Sequence, residues 1–130
     1  MKRTYLSLVI ITGCAILSLV FVMSLIRCGG EKYPINITVS YTGTPGLKFI
    51  GVYGSALSGT TSIPEGTVPF TCTTQCKSKT DVVSAVGQMY PGTASGTLTL
   101  KLLKDNKVLD EKTTTDPNEQ IQVIWSPSAK

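Results

Sequence analysis

The sequence predicts an all-β protein, a small antiparallel β-sandwich of six or seven strands preceded by one N-terminal transmembrane helix. Three observations lead to this fold class. An unbroken apolar run of 22 residues, Tyr5 to Ile26, stands near the start of the chain. After it, short segments alternate between apolar and polar residues with a period of two, which is typical of half-buried strands. The same region is rich in Thr, Val, Gly and Pro, which favour strands and tight turns.

The apolar run is long enough to cross a membrane as a helix. At about 1.5 Å of rise per residue it would measure roughly 33 Å, against about 30 Å for the hydrocarbon core of a bilayer. A cleaved signal peptide has a shorter apolar stretch and small residues at the cut, whereas this run ends in Leu25-Ile26-Arg27. We therefore expect residues 1–27 to form an uncleaved transmembrane signal anchor, followed by a linker over residues 28–34.

Two cysteines offer lipidation as an alternative fate for this segment. The sequence ITGC, which ends at Cys14, resembles the bacterial lipobox, in which a small residue precedes the cysteine that is acylated. Cutting there would leave a long apolar stretch beside the lipid without an obvious purpose. Cys28 is better placed for a tether, but Arg27 occupies the position where the lipobox needs Gly, Ala or Ser. Lipidation at Cys28 or Cys14 stays open as an alternative to the signal anchor.

The basic residues that flank the run predict its orientation, because such residues stay on the cytoplasmic side. Lys2, Arg3 and the amino terminus precede the run, and Arg27 and Lys32 follow it, so the balance narrowly favours the amino terminus inside. We therefore expect a single-pass protein of the bacterial cytoplasmic membrane. Its partner is then the lipid bilayer, and its C-terminal domain is periplasmic or otherwise extracytoplasmic.

The region after the anchor is close to neutral. It holds nine Lys and Arg against eight Asp and Glu, so the net charge of +4 arises mostly at the membrane end of the chain. No basic stripe with interleaved aromatic residues occurs, which argues against a nucleic-acid partner. A polybasic lipid-binding segment is missing too.

The region after the linker has the size of one compact domain, since about 100 residues is common for a single hydrophobic core. We expect this domain to cover residues 35–125 and a loose tail to cover residues 126–130. Short strands with one apolar face bury that face best when two antiparallel sheets pack together. A sandwich is therefore the first choice of architecture, and a partly open barrel is the second.

The first half of the domain gives the clearest strand. In residues 35–42, Ile, Val and Tyr alternate with Asn, Thr and Ser. A turn over residues 43–46 leads into the second strand. Residues 55–66 are rich in Ser, Thr and Gly and contain a proline, so we expect them to form a loop.

The second half adds an edge strand and a hairpin. Pro69 removes a hydrogen-bond donor from the ladder, which places the adjoining strand at a sheet edge. Asp105-Asn106 is expected to form a hairpin turn between two strands. The expected strands cover residues 35–42, 47–53, 81–90, 97–102, 108–113 and 121–125, and one more strand begins with residues 68–72.

Four segments follow the amino-terminal membrane helix in a fixed order: ITVSYTGTPGLKFIGVYG, GTVPF, DVVSAVGQ and GTLTLKLLKDNKVLDEKTTT. In this order, over about residues 35–125, the chain resembles the small mycobacterial membrane proteins of the MmpS family and related bacterial β-sandwich lipoproteins. The hairpin LTLKLLKDNKVLDEK carries the likeness best. The resemblance implies the role of an accessory partner to a large resistance-nodulation-division transporter, with the anchored sandwich on the extracytoplasmic side.

Cys72 and Cys76 are expected to form a local disulfide, because an extracytoplasmic domain lies in an oxidising compartment. In a straight strand their Cα atoms would be roughly 13 Å apart, whereas a disulfide needs about 4.4 to 6.8 Å. The bridge therefore requires residues 73–75 to form a turn, and two unpaired thiols are the alternative. A metal site is disfavoured because the chain has no histidine and two sulfurs leave a tetrahedral site half built.

Three small side chains suggest a packing face on the predicted membrane helix. At about 100° per residue, Ser7, Cys14 and Ser18 fall within about 40° of one another. Transmembrane helices associate through such stripes because their backbones can approach closely. The face would then contact other integral membrane subunits. The alternative is that these residues are ordinary components of a membrane helix.

No residue set in the sequence predicts catalysis. Without histidine, a serine triad and most metal sites are excluded, and the adjacent carboxylates of Asp110 and Glu111 point to opposite faces of a strand. We therefore expect a non-enzymatic protein without a cofactor that serves as an accessory or structural subunit of a larger membrane complex. The alternatives are a peripheral single-span subunit of a respiratory or photosynthetic complex and a lipid-anchored extracytoplasmic binding lipoprotein.

Overall fold

A computed structural model of the protein describes residues 30–93 and 95–129. The chain divides into two units, Met1–Lys32 and Tyr33–Lys130. In the first unit, the described residues are Gly30 to Lys32, and they form neither helix nor strand. The second unit contains the strands described below.

The second unit is all-β, as predicted. In chain order its strands are β1 (Ile35–Gly43), β2 (Lys48–Ser55), β3 (Gly59–Thr67), β4 (Phe70–Cys76), β5 (Val83–Met89), β6 (Leu98–Lys104), β7 (Lys107–Thr114) and β8 (Ile121–Trp125). Sheet 1 has the order β4-β1-β6-β7 and sheet 2 has the order β3-β2-β5-β8, and all strand pairs are antiparallel. The two sheets enclose one core, which makes the arrangement sandwich-like with one strand more than the upper expectation.

Two local predictions are confirmed. The strand that follows Pro69, β4, lies at the edge of sheet 1, where the missing backbone donor interrupts no ladder. The turn between β6 and β7 consists of Asp105 and Asn106, and both residues have positive φ, at 50° and 63°. A two-residue hairpin turn of type I′ needs positive φ at both positions, which Asp and Asn tolerate better than most residues.

One expected loop is in fact a strand. Residues 55–66 were expected to be irregular, but β3 occupies most of this range and pairs with β2 at the edge of sheet 2. Only Ile63 and Gly66 are buried in β3, so the strand shows no alternation of apolar residues. Its edge position also accommodates Pro64. Pairing with β2, which is not visible in the local sequence, therefore decides the conformation.

The core between the sheets is built around Tyr41 of β1. Its ring stacks on Phe49 of β2, with 4.3 Å between the ring centroids, and Phe70 of β4 meets both rings edge-on. The Tyr41 hydroxyl donates a 2.9 Å hydrogen bond to the backbone carbonyl of Val86 in β5. Burial raises the pKa of Tyr41, which keeps the hydroxyl protonated as a donor. Tyr41 thus joins the two sheets by apolar contact and by a hydrogen bond.

Glycine residues make room for these rings. A Cβ on Gly51 of β2 would lie 2.8 Å from both the Tyr41 hydroxyl oxygen and the Val86 carbonyl oxygen. A Cβ on Gly87 of β5 would lie 3.0 Å from the Tyr41 ring. The hydrogen bond between the sheets therefore requires the absence of a side chain at position 51.

We predict that Gly51→Ala lowers the free energy of unfolding by roughly 2 kcal/mol, because the added methyl group overpacks the core and pushes the Tyr41 hydroxyl away from its acceptor. Denaturant titration followed by the fluorescence of Trp125 measures this change. Gly30→Ala is the matched control, since a Cβ at that position meets no atom within 4 Å. Equal stability of the Gly51→Ala variant and the unchanged protein would contradict the role given to Gly51.

A buried carboxylate joins two connections at one end of the domain. Asp81, which precedes β5, is fully buried. Its Oδ1 accepts hydrogen bonds from the backbone N–H groups of Leu57 and Val82 at 3.0 and 2.9 Å, and its Oδ2 accepts one from Lys77 at 2.8 Å. Burial raises the pKa of Asp81, but these hydrogen bonds and one from Ser55 outweigh it, so the pKa lies below its ordinary value.

The lowered pKa makes stability depend on pH. The contribution of Asp81 is complete above its unfolded-state pKa of 3.8 and is lost as the pH falls through the lower folded-state value. We predict that Asp81→Asn costs roughly 2 kcal/mol of unfolding free energy near neutral pH and flattens the acid-induced loss of stability. Denaturant titrations across the acid range measure both effects, with the exposed substitution Glu111→Gln as control. An unchanged acid profile in Asp81→Asn would refute this account.

Side chains form hydrogen bonds with backbone groups at the free edges of the sheets. Asp110 of β7 accepts a 2.9 Å hydrogen bond from the backbone N–H of Ile124 in β8. On the other side of the domain, the Ser58 hydroxyl donates a 2.7 Å hydrogen bond to the backbone carbonyl of Gln75 in β4. The edges of one sheet are thus tied to elements of the other.

No helix among residues 30–93 and 95–129 is long and apolar enough to cross a membrane. The predicted anchor, residues 1–27, lies outside the described residues. At the other end, residues 126–129 follow β8 as a turn, in which the Ala129 N–H donates to the Ser126 carbonyl at 3.1 Å.

Candidate interaction surface

The outer face of sheet 2 is the candidate functional site. Side chains alternate along a strand, so the neighbours of core residues in β2, β5 and β8 point away from the core. Val52 and Ile124 on this side are 39% and 50% exposed, although both are large and apolar. We define the outer face of sheet 2 by Ile50, Val52, Val86, Gln88 and Ile124.

An open groove of about 210 Å³ lies on this face. Ile50 stands opposite Gln88 across the β2–β5 pair, and Val52 stands opposite Val86, so the register places these side chains next to one another. Gln120, immediately before β8, also lines the groove. The lining therefore combines apolar side chains with two amides.

The outer face of sheet 1 has a different character. Its two central strands, β1 and β6, direct mainly hydroxyl-bearing and charged side chains outward. These residues are Thr38, Ser40, Thr42, Thr99 and Lys101. Because one sheet face is polar and the other is apolar at its centre, sheet 2 is the face suited to a binding partner.

In the part of the chain that the structure describes, no charged side chain lines the groove. The nearest one along β2 is Lys48, which forms a 2.5 Å ion pair with Glu65 of β3. The hydrogen bond to Glu65 and its negative charge raise the pKa of Lys48, and the pair carries no net charge. A partner that binds the groove therefore needs an uncharged and largely apolar contact surface.

The described residues that line the groove offer no group for acid–base or nucleophilic chemistry. Their side chains are apolar or carry neutral amides. Pockets that enclose small ligands usually measure about 300–1,000 Å³, so a smaller groove that is open to solvent fits another protein better. In the described part of the chain, no three His, Cys, Asp or Glu residues lie close enough together to hold a metal ion.

Cys72 and Cys76, the predicted disulfide, are free thiols. The turn that the bridge requires is not formed, because residues 73–75 continue β4 and pair in register with β1. A straight strand keeps the two Cα atoms roughly 13 Å apart, too far for a bridge. The structure thus corrects the prediction of a disulfide. Both side chains face the core, Cys76 fully buried and Cys72 half-buried, and burial raises the pKa of both thiols.

We predict that the tryptic peptide ending at Lys77, which contains both cysteines, carries two unpaired thiols under non-reducing conditions. Because burial and a raised pKa suppress the thiolate, alkylation should be slow in the folded protein and fast after denaturation. Mass spectrometry of the alkylated peptide, with and without denaturant, measures both properties. A peptide lighter by two hydrogens would show a bridge and contradict the prediction.

The remaining predicted site residues lie outside the described residues. They are the packing stripe of Ser7, Cys14 and Ser18 and the two lipidation candidates, Cys28 and Cys14. The structure therefore places neither set, and both stay predictions.

The sequence did contain a signal for the outer face of sheet 2. β2 has apolar residues on both of its faces: Phe49 faces the core, whereas Ile50 and Val52 face outward. A solvated sheet face usually carries polar residues, so apolar residues on both faces indicate a covered or binding surface. The contribution of Val86 could not be found in this way, because the pairing of β2 with β5 is not a local property.

Comparison with known proteins does not identify a family. The chain matches no family model, and no curated protein matches it significantly. The resemblance to the MmpS family therefore stays a prediction, and the functional proposal depends mainly on the outer face of sheet 2.

Proposed function

We propose that this protein is a non-catalytic, membrane-anchored accessory or structural subunit of a larger membrane complex. The proposal includes a β-sandwich on the extracytoplasmic side of the bacterial cytoplasmic membrane, with residues 1–27 as its transmembrane anchor. The single observation that carries it is the apolar groove on the outer face of sheet 2, which contrasts with the polar outer face of sheet 1. We assign this groove to contact with another subunit.

The position of the groove favours contact through side chains. β2 and β5 are the central strands of sheet 2, so each pairs with a strand on both sides and has no unpaired edge. A partner must therefore meet Ile50, Val52 and Val86 with its own side chains. Such burial contributes about 25 cal/mol per Å² of apolar area, and the amides of Gln88 and Gln120 can fix the orientation by hydrogen bonds.

The occupant that we favour is the extracytoplasmic part of an integral membrane subunit. The uncharged groove suits an uncharged loop or sheet face of that subunit. A common membrane confines both proteins to one surface, which raises their effective concentration, so a small contact area suffices. The resemblance to the MmpS family points to a resistance-nodulation-division transporter as this subunit. A respiratory or photosynthetic complex is the alternative assembly.

A second contact is proposed within the membrane, where Ser7, Cys14 and Ser18 would pack against a neighbouring helix. The competing proposal of a lipid-anchored binding lipoprotein differs in two measurable ways. Such a protein would carry acyl mass on Cys28 or Cys14, and it would be isolated without partner subunits. Intact mass spectrometry of the protein from native membranes distinguishes the two.

We predict that Val52→Lys separates the protein from its complex. An interface that covers the groove would have to desolvate the new ammonium group, so we expect about a tenfold loss of co-purifying subunits in mild detergent. Val52 is partly exposed, so a lysine at this position is compatible with folding. Affinity purification with quantitative mass spectrometry measures the loss.

Thr73→Lys is the matched control for this experiment. It adds the same charge at an exposed position of the edge strand β4, on the outer side of sheet 1. We expect this variant to keep its co-purifying subunits. If Val52→Lys retains them equally well, the outer face of sheet 2 is not the contact surface, and if the unchanged protein is isolated alone, it is not a subunit.

A further inference from the structure

The antiparallel register brings three connections to the end of the domain where β1 begins. Ile35 pairs with Cys76 at the end of β4, and Thr38 pairs with Leu103 just before the β6–β7 turn. The hydrogen bonds of Asp81 tie the β4–β5 connection to the β2–β3 turn. We define the basal surface by these three connections together with the strand residues that adjoin the β6–β7 turn, which gives residues 56–58, 77–82 and 104–108.

The basal surface is basic. Lys77 and Lys79 lie exposed on the β4–β5 connection, and Lys104 and Lys107 flank the β6–β7 turn. Among the described residues, Lys77, Lys79 and Lys107 form no ion pair with a carboxylate. Within the basal surface these four lysines stand against two carboxylates, the buried Asp81 and the exposed Asp105, so positive charge predominates.

The opposite end of the domain has the reverse sign. The β7–β8 connection there carries Asp116 and Glu119. The lysine at that end, Lys48, is paired with Glu65. Charge is therefore separated between the two ends of a domain whose net charge is small.

Exposed apolar side chains stand among the basal lysines. Leu57 is 55% exposed, Val82 is 41% exposed and Val108 is 44% exposed. Leu57 and Val82 belong to two different connections, and Val108 lies at the start of β7. A single exposed apolar residue is ordinary. Apolar side chains beside lysines on one surface, however, are the composition with which proteins bind the interfacial region of a bilayer.

The length of chain between the apolar run and the domain limits how far this end can lie from the bilayer. The run ends at Ile26, and the domain begins at Tyr33. Fully extended, this stretch spans at most roughly 25 Å. An anchor in the membrane therefore keeps the end of the domain that receives the chain close to the lipid headgroups.

From this combination we infer that the basal surface binds the anionic phospholipid headgroups of the bilayer in which the protein is anchored. This inference rests on the proposed membrane anchoring and adds a lipid contact to it. The ammonium groups of Lys77, Lys79 and Lys107 contact headgroup phosphates, and Leu57 and Val108 enter the interfacial region. These lysines come from separate connections and come together only in the folded domain. For this reason the linear sequence contains no polybasic segment.

Lysine footprinting of the full-length protein in lipid nanodiscs tests the inference. The discs contain phosphatidylcholine alone or together with phosphatidylglycerol, and mass spectrometry measures acetylation at each lysine. We expect roughly threefold or greater protection of Lys77, Lys79 and Lys107 by phosphatidylglycerol, and a loss of this difference at high salt because of screening. Lys112, exposed on β7, is the internal reference and should react equally in both discs.

Two variants test the apolar part of the contact. Leu57→Ser and Val108→Ser remove exposed side chains, so both should fold, and each should reduce the protection of the basal lysines. Tyr90→Ser is the matched control, because Tyr90 is exposed to a similar degree but follows β5 at the opposite end of the domain. Equal protection in all three variants would remove the apolar residues from the proposed contact.

The outcomes separate the lipid contact from the anchoring on which it rests. A protein that does not co-elute with the discs contradicts the anchoring itself. A protein that co-elutes, but whose lysines react equally in both lipids, overturns the lipid contact and leaves the anchoring intact. Protection in native membranes without protection in phosphatidylglycerol discs assigns the basal surface to a protein partner and also overturns the inference.

Discussion

The contact of Tyr41 with the opposite sheet is the constraint on which the rest of the structure depends. Its ring fills the space between the sheets, and its hydroxyl holds the backbone of β5 at Val86. Space for the ring exists because Gly51 and Gly87 carry no side chain. The same two strands present their apolar side chains on the outside. The packed core and the candidate interaction surface thus lie on the two faces of one pair of strands.

Local sequence patterns predicted the parts of the fold that local interactions decide. The alternation in β1 and the Asp105-Asn106 turn each require particular residue types at particular positions, so both were found. The strand β3 was not found, because its polar edge sequence becomes a strand only through pairing with β2. The disulfide prediction was wrong for a related reason: pairing of β4 with β1 keeps the chain straight between Cys72 and Cys76.

The two candidate surfaces were harder to predict than the fold, because both are assembled from distant segments. Ile50 and Val52 could be recognised as apolar residues on the wrong face of β2, but their neighbour Val86 enters only through the β2–β5 register. The lysines of the basal surface are separated along the chain by entire strands, so no window of sequence contains them together. Charged residues that are mixed along the sequence are separated in the folded domain, with lysines predominating at one end and carboxylates at the other.

The occupied sheet edges affect how readily two copies of the protein can pair edge to edge. Asp110 takes a backbone donor of β8 and Ser58 takes a backbone acceptor of β4, which are positions that a strand of a neighbouring molecule would otherwise use. Copies crowded side by side are thereby hindered from extending one another's sheets. At these two positions the fold itself opposes the edge-to-edge strand pairing from which cross-β aggregates grow.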